Sequence, residues 1–381
     1  MTDRPSLQNL PNRRQNPAKK ENIAQILDRM DSGRSSALYF LGIAALFMGF
    51  MLFFMFKGQA RVDISLAGGL LLGILLCLGI ILVNLVRESS RGMREQERYY
   101  VIGEVKALTA VQQRALRLVL VDMYYFGFWI RTLEYYPCEV RMKGKTFKPK
   151  CFAIEGRETY RKSLDRDWGI VSTEQYRQLV RQLFEGMHSK LFAVDMDYCV
   201  NIDDYLSRSL PEADRDDIKQ QNDSFISRLA GLINKPVTYV TDCFNEQGDK
   251  PKALIWGFDL WRVIPMSRDA FMAGYIKEEE AWTNILKASD LVYHLFDSFE
   301  DFFDNFRLGN AYWSNDLETT RLRQQMWELY QQKCNWAERD LPWQREGAPQ
   351  YAQEMQTGFA NYIKSKNKKY SEPIGFRRNG D

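Results

Sequence analysis

The chain has 381 residues, 45% hydrophobic and 27% charged, which is ordinary globular usage with room for two or three structural units. Its 52 basic and 49 acidic residues leave a net charge of +3, so no strong overall field favours nucleic acid or acidic ligands. With two histidines, His188 and His294, a His-rich metal centre is excluded, and none of the six cysteines forms a CxxC pair that would signal zinc.

Residues 1–35 open the chain as a polar juxtamembrane segment. Its first twenty residues carry Pro5, Pro11 and Pro17 and read as disordered, and residues 21–32 read as a short amphipathic helix. Residues 36–87 then hold two uninterrupted apolar runs, Ala37–Phe56 and Ile64–Val86. Each is long enough to cross the ~30 Å hydrocarbon core as a helix. Position and length argue against a cleaved signal: a polar segment precedes the first run, and a second run follows at once. The pattern is a two-helix transmembrane hairpin that contacts the bilayer through residues 37–56 and 64–86.

Flanking charge sets the expected orientation. Arg4, Arg13, Arg14, Lys19, Lys20, Arg29 and Arg34 precede the first run, and Arg87, Arg91, Arg94 and Arg98 follow the second. The connection carries only Lys57 and Arg61. Positive residues stay inside, so a bacterial inner-membrane protein with two spans and both termini cytoplasmic is expected. Cys77 lies within a span and the remaining cysteines face a reducing compartment, so no disulfide is expected. Small residues, Gly42, Ala44, Ala45 and Gly49 on one run and Ala67, Gly68, Gly69, Gly73 and Gly79 on the other, suit close helix packing, within the hairpin or in a homo-oligomer. No acid or base lies inside either run, so a proton relay or transport path has nothing to act through.

Residues 100–200 read as a helical subdomain with a small β-hairpin. Val105, Leu108, Val111, Leu116, Val119, Leu120 and Met123 make one apolar stripe between Gly103 and Tyr125. Cys138–Phe152 alternates about a Lys-Gly-Lys turn and predicts the hairpin. Ser172 and Gln175 form a capping box that opens a helix with Tyr176, Leu179, Val180 and Leu183 on its inner face. Residues 201–222 are acidic, a surface loop or short helix; Asp203, Asp204, Asp214, Asp216 and Asp217 match no calcium loop and read as solubilising charge.

Residues 201–340 form the helical domain with the most specific pattern. A first helix runs from Ala253 to Met272, with Pro265 as a possible kink, and stops at Gly274. A second takes Glu278–Glu280 in its first turn and buries Trp282, Ile285, Leu286, Val292, Tyr293 and Phe296. Ser298 caps a third, which carries Phe299, Phe302, Phe303 and Phe306; Gly309 allows a close approach before Trp313. Leu317–Trp336 adds a further helix, and residues 341–381 form a basic tail with Lys364, Lys366, Lys368, Lys369, Arg377 and Arg378, read as disordered from about Ile363 and placed to touch anionic lipid.

Asp259 and Arg262 stand at i and i+3 among Trp256, Phe258 and Trp261, where a buried charge needs a partner. They read as a structural ion pair that organises the helical core. The alternative is the polar floor of a ligand pocket with Trp282 and Trp313 as walls, which His294 would join. No Walker loop, GxGxxG, HExxH or GxSxG occurs, and no catalytic residue, cofactor or metal ligand is assigned.

The order of these elements resembles the bacterial domain-of-unknown-function 1266 family, the YbeU/YbeR-like proteins. The resemblance rests on Asp259 with Arg262, on Gly274–Ile276 followed by Glu280–Trp282, on Ser298–Glu300 with Phe303, and on Gly309 followed by Trp313. Phe299 stands where the family often has tryptophan. It covers about sixty residues firmly and Met187–Trp336 loosely. The resemblance implies a compact helical domain and no known reaction. The expected whole is mainly α: a transmembrane hairpin and a mostly helical cytoplasmic domain that serves as a protein-interaction or regulatory module, or else as a membrane-tethered enzyme with its pocket at Asp259 and Arg262. A protein partner is expected and nucleic acid is not.

Overall fold

The computed structural model describes residues 32–57, 64–89, 108–126, 132–134, 140–142, 145–147, 156–209, 211–212, 215–246, 248–345, 347 and 350–367. The chain divides into two compact units. One comprises Met1–Ala107, Phe126–Trp129 and Tyr135–Gly156; the other comprises Leu108–Tyr125, Ile130–Glu134 and Arg157–Asp381.

The first unit contains α1 (Ser32–Lys57) and α2 (Ile64–Ser89), which pack side by side. Both are long and apolar enough to cross a membrane. Their side chains are exposed on nearly every face: Phe40, Leu46, Phe47, Leu72 and Leu76 are among those open to the surroundings. A water-soluble core helix hides such residues, whereas a lipid-facing helix displays them. Leu38 and Leu41 meet Ile81 and Leu85 at the helix contact. Asn84 donates to the Ile80 carbonyl at 2.8 Å, which satisfies its amide within its own helix. Of the glycines expected to bring the helices together, Gly73 does so: a Cβ there would lie 2.7 Å from the Met48 sulfur. Gly42, Gly49, Gly68, Gly69 and Gly79 have no neighbour that a Cβ would meet.

The second unit is built of helices: α3 (Ala110–Arg117), α4 (Leu120–Phe126), α5 (Gly156–Trp168), α6 (Thr173–Phe184), α7 (Ser189–Val200), α8 (Ile202–Ser209), α9 (Arg215–Ile233), α10 (Val237–Asp242), α11 (Trp256–Met272), α12 (Glu278–Leu295), α13 (Phe299–Ser314), α14 (Leu317–Lys333), α15 (Asn335–Asp340), α16 (Gln353–Gln356) and α17 (Ala360–Asn367). The expected β component of this domain is corrected, because its described residues contain no β-strand. The described β pairing is a three-residue antiparallel ladder, Val140–Met142 (β1) against Lys145–Phe147 (β2); it lies within Cys138–Phe152, where the alternation predicts it, but it falls in the other unit. The physical reason is the periodicity: from Gly156 onward the apolar residues recur at helical spacing, and strand-like alternation is confined to the lysine-rich segment. The outer parts of the expected hairpin, with residues 1–31, lie outside the described residues.

α11 is the centre of the body. Fourteen of its seventeen residues are buried, and it packs against α6, α12 and α13. Pro265 sits inside it without ending it. Gly274, at φ +74°, closes it with a Schellman motif: Tyr275 N–H donates to Ala270 O at 2.9 Å and Gly274 N–H to Phe271 O at 3.0 Å. Ser298 caps α13, its hydroxyl accepting from Asp301 N–H, and Ser172 caps α6 in the same way with Gln175. α11 and α13 approach so closely that a Cβ at Gly309 would lie 2.2 Å from Phe258 Cβ, and one at Gly257 would lie 3.2 Å from the Phe302 carbonyl.

Two segments are more ordered than their composition suggests. The acidic stretch after Asn201 forms α8 and the start of α9, whose Phe225, Ile226, Leu229 and Ile233 face inward. The expected basic tail holds two short helices, α16 and α17, the second ending at Asn367: Phe359 and Ile363 are buried, and α17 packs on α7. Residues 368–381 lie outside the described residues.

Candidate functional site

The polar residues at the centre of the body converge where α11 passes the start of α7. α6 ends in a tight turn at Gly186 (φ +72°), with Met187 N–H donating to Gln182 O at 3.0 Å. A Cβ at Gly186 would collide with Phe359 and Trp256, so only glycine lets the chain pass. This turn brings His188 to the N-cap position of α7, where its own side chain makes no capping bond.

The cap comes from another helix. Asp259, wholly buried on α11, accepts the Ser189 N–H at 2.9 Å, the Ser189 hydroxyl at 2.7 Å, the His188 N–H at 3.2 Å and His188 Nδ1 at 2.5 Å. A buried carboxylate is tolerable here because N–H and O–H donors surround it and because it sits at the positive end of α7. On the far side of the imidazole, the Arg262 guanidinium lies 3.0 Å from His188 Nε2. Arginine has only donors, so Nε2 presents its lone pair and the ring proton sits on Nδ1, facing Asp259.

Arg262 is partly buried. Its guanidinium carbon lies 3.9 Å from the Phe258 ring centroid, 5.3 Å from Trp168 and 5.5 Å from Trp313. Burial pulls this guanidinium down to about 10; Asp259 acts against the shift and Arg323 adds to it. The His188 ring stands edge-on to Trp313, at 4.6 Å and 82°. Trp313 itself is 52% exposed, so the aromatic cluster reaches the surface.

The structure therefore brings Asp259, Arg262 and Trp313 together and leaves Trp282 apart. Among the described residues, Asp259 and Arg262 form no direct ion pair; His188 stands between them. Trp282 is buried in α12 and donates to Glu278 on its own helix at 3.3 Å. His294 faces the Asp290 and Gly347 carbonyls in a different cleft, lined also by Arg114, Tyr293 and Gln344. Two further clefts lie along α9, about Asn222 and Arg228, and beside Cys243, Asp301 and Asn305. Sequence reasoning passed over His188 and Ser189. A histidine just after a glycine stop and just before a helix start was the available signal.

Asp259, His188 and Ser189 are the residue types of a hydrolytic triad, but their bonds are arranged otherwise. Ser189 donates to Asp259 directly, and His188 Nε2, the atom that would deprotonate a nucleophile, faces a cation. The arrangement orients Arg262 and caps α7.

Fold and site together define a body that is helical across its described residues, with a carboxylate–imidazole–guanidinium relay that runs from a buried acid to a partly buried arginine, in a chain that also carries a pair of membrane-length helices. Residues 163–345, which include the whole relay, match the family model described as a protein of unknown function (DUF1266). The inner membrane protein YnjI of Escherichia coli (strain K12) is 30% identical over 297 residues, covering 73% of this chain and 77% of that relative. The chain belongs to the DUF1266 family. No solved structure matches it.

Proposed function

We propose that this protein is a membrane-anchored docking module: α1 and α2 cross the bacterial inner membrane as a hairpin, both termini face the cytoplasm, and the helical body holds a protein partner there. The observation that carries the reading is the pair of adjacent helices with apolar side chains exposed all round, an arrangement that water penalises and lipid accepts. The excess of arginine and lysine outside the short connection supports the orientation. A relative named as an inner membrane protein supports the compartment.

Docking is supported by the surface at Trp313 and Arg262. Tryptophan and arginine are the residue types that most often dominate protein interfaces. Trp313 is a large exposed ring fixed against a rigid imidazole. The wiring of Asp259, His188 and Ser189 favours this reading over an enzyme, because the imidazole is engaged on both nitrogens.

Three measurements test the proposal. A cytoplasm-active reporter fused at the C-terminus is expected to work, and the chain is expected to stay with membranes after a carbonate wash. Activity only of a periplasmic reporter, or release by carbonate, overturns the anchor. A photo-crosslinking residue at Trp313 is expected to trap one discrete partner in the host cell; no adduct there, with adducts elsewhere on the body, overturns the docking face.

A further inference from the structure

We propose that the docking face recognises a carboxylate: Arg262 grips the carboxylate of an acidic side chain or chain terminus of the partner, held between the Trp168 and Trp313 rings. The inference rests on the docking reading and names the chemistry of what is docked.

The charges around Arg262 are out of balance. Three other arginines of the body, partly or fully buried, meet a carboxylate directly: Arg307 meets Asp304 at 3.1 Å, Arg323 meets Asp122 at 2.6 Å, and Arg117 meets Glu338. Arg268, fully buried, instead gives its donors to the carbonyls of Thr132, Leu133 and Glu134. Arg262 meets a neutral atom, the lone pair of His188 Nε2. The nearest acid, Asp259, is spent on His188 and Ser189, which supply four donor groups to its two oxygens. A guanidinium offers five N–H donors, and among the described residues one finds a protein acceptor. A cation taken partly out of water without a counter-ion in contact is costly, and burial accordingly favours its neutral form, lowering its pKa. A bound carboxylate would remove it.

The surroundings select the anion. A planar fork of N–H groups matches a carboxylate in two parallel bonds. Trp168 and Trp313 flank the guanidinium with apolar faces, and Phe258 stacks beneath it. Such walls suit a singly charged carboxylate on an apolar stem better than a more highly charged and more strongly hydrated phosphate. The relay from Asp259 through His188 fixes the guanidinium before the ligand arrives, which lowers the ordering cost of binding.

The test uses the full chain in detergent and reads tryptophan fluorescence during titration with benzoate at constant ionic strength, with chloride and inorganic phosphate as separate arms. Benzoate is expected to give a saturable change, at least tenfold weaker in Arg262→Gln, weaker also in Arg262→Lys, which keeps the charge but not the fork, and with reduced amplitude in Trp313→Phe. Circular dichroism on each variant checks that the body remains folded. No saturable change with benzoate, an equal response in a folded Arg262→Lys, or saturation by phosphate in preference to benzoate overturns the proposal. Failure here is separate from failure of the docking reading: a crosslinked partner at Trp313 with no benzoate binding removes the carboxylate and keeps the docking.

Discussion

Asp259 accepts both the backbone N–H and the hydroxyl of Ser189, at 2.9 and 2.7 Å, and so starts a helix that lies seventy positions earlier in the chain. The charge of the carboxylate, its burial and the start of α7 are therefore one structural fact. Asp259→Asn replaces a charged acceptor of four donor groups with an amide whose NH2 must face donors. A loss of about 3 kcal/mol is expected, the range for breaking a buried charged network. Ser189→Ala removes one donor and is expected to cost about 1 kcal/mol. Denaturant unfolding of the solubilised chain followed by circular dichroism measures both. If Asp259→Asn costs no more than Ser189→Ala, Asp259 is not the cap of α7.

Glycine acts in opposite ways at two helical positions. Gly309→Ala places a Cβ 2.2 Å from Phe258 Cβ, backed by a packed helix, and is expected to destabilise by at least about 2 kcal/mol. Gly231, near the end of α9, has open space where its Cβ would go. Gly231→Ala is expected to stabilise by about 0.5–1 kcal/mol through backbone entropy alone. Opposite shifts in thermal midpoint are the signature.

Cys243 is buried beside Asn305, and burial pushes its thiol up to about 12. At pH 8 almost none of it is thiolate, the species that reacts. Cys243 is therefore expected to resist iodoacetamide in the folded chain and to react promptly in denaturant, as read by mass spectrometry of the peptide that contains it. Rapid modification at pH 8 without denaturant would contradict this burial.

Arg177 holds Glu280 by two bonds, 2.8 and 2.9 Å, and these keep the Glu280 carboxyl below its ordinary value of 4.5. A lowered carboxylate contributes stability that is complete above the unfolded value and is lost as pH falls through the folded one. Glu280→Gln is expected to cost about 0.2–1 kcal/mol at pH 7, since the pair is partly exposed. The gap between variant and wild type should close on acidification below about pH 4, measured by thermal unfolding across pH.

The sequence was most legible where local chemistry decides. The two apolar runs, the Ser298 cap and the Gly274 stop are set by neighbours within a turn or two, and each lies where the pattern puts it. The relay was not legible in that way. Asp259 and Arg262 share a helix face, so pairing was the natural local reading, yet His188 arrives from another helix and takes the place between them. Trp282 looked equivalent to Trp313 by composition, but one lies buried on α12 and the other opens to solvent on α13. α17 was hidden because its lysines dominate the composition while two apolar residues, Phe359 and Ile363, supply its packing. Helical spacing beyond Gly156 accounts for a body whose described residues hold no strand, and the lysine-rich alternation gives a three-residue ladder in the other unit.

Phe359 stacks on Trp256 at 5.6 Å, and both rings press against the Gly186 turn that carries His188. The ribosome makes Gly186 and Trp256 well before Phe359. That corner of the body therefore cannot set during synthesis of its first two parts; it waits for the third. A nascent or protease-clipped chain lacking Phe359 would show the Trp256 ring to water and leave the histidine turn unclasped, a form that chaperones and quality-control proteases are suited to detect.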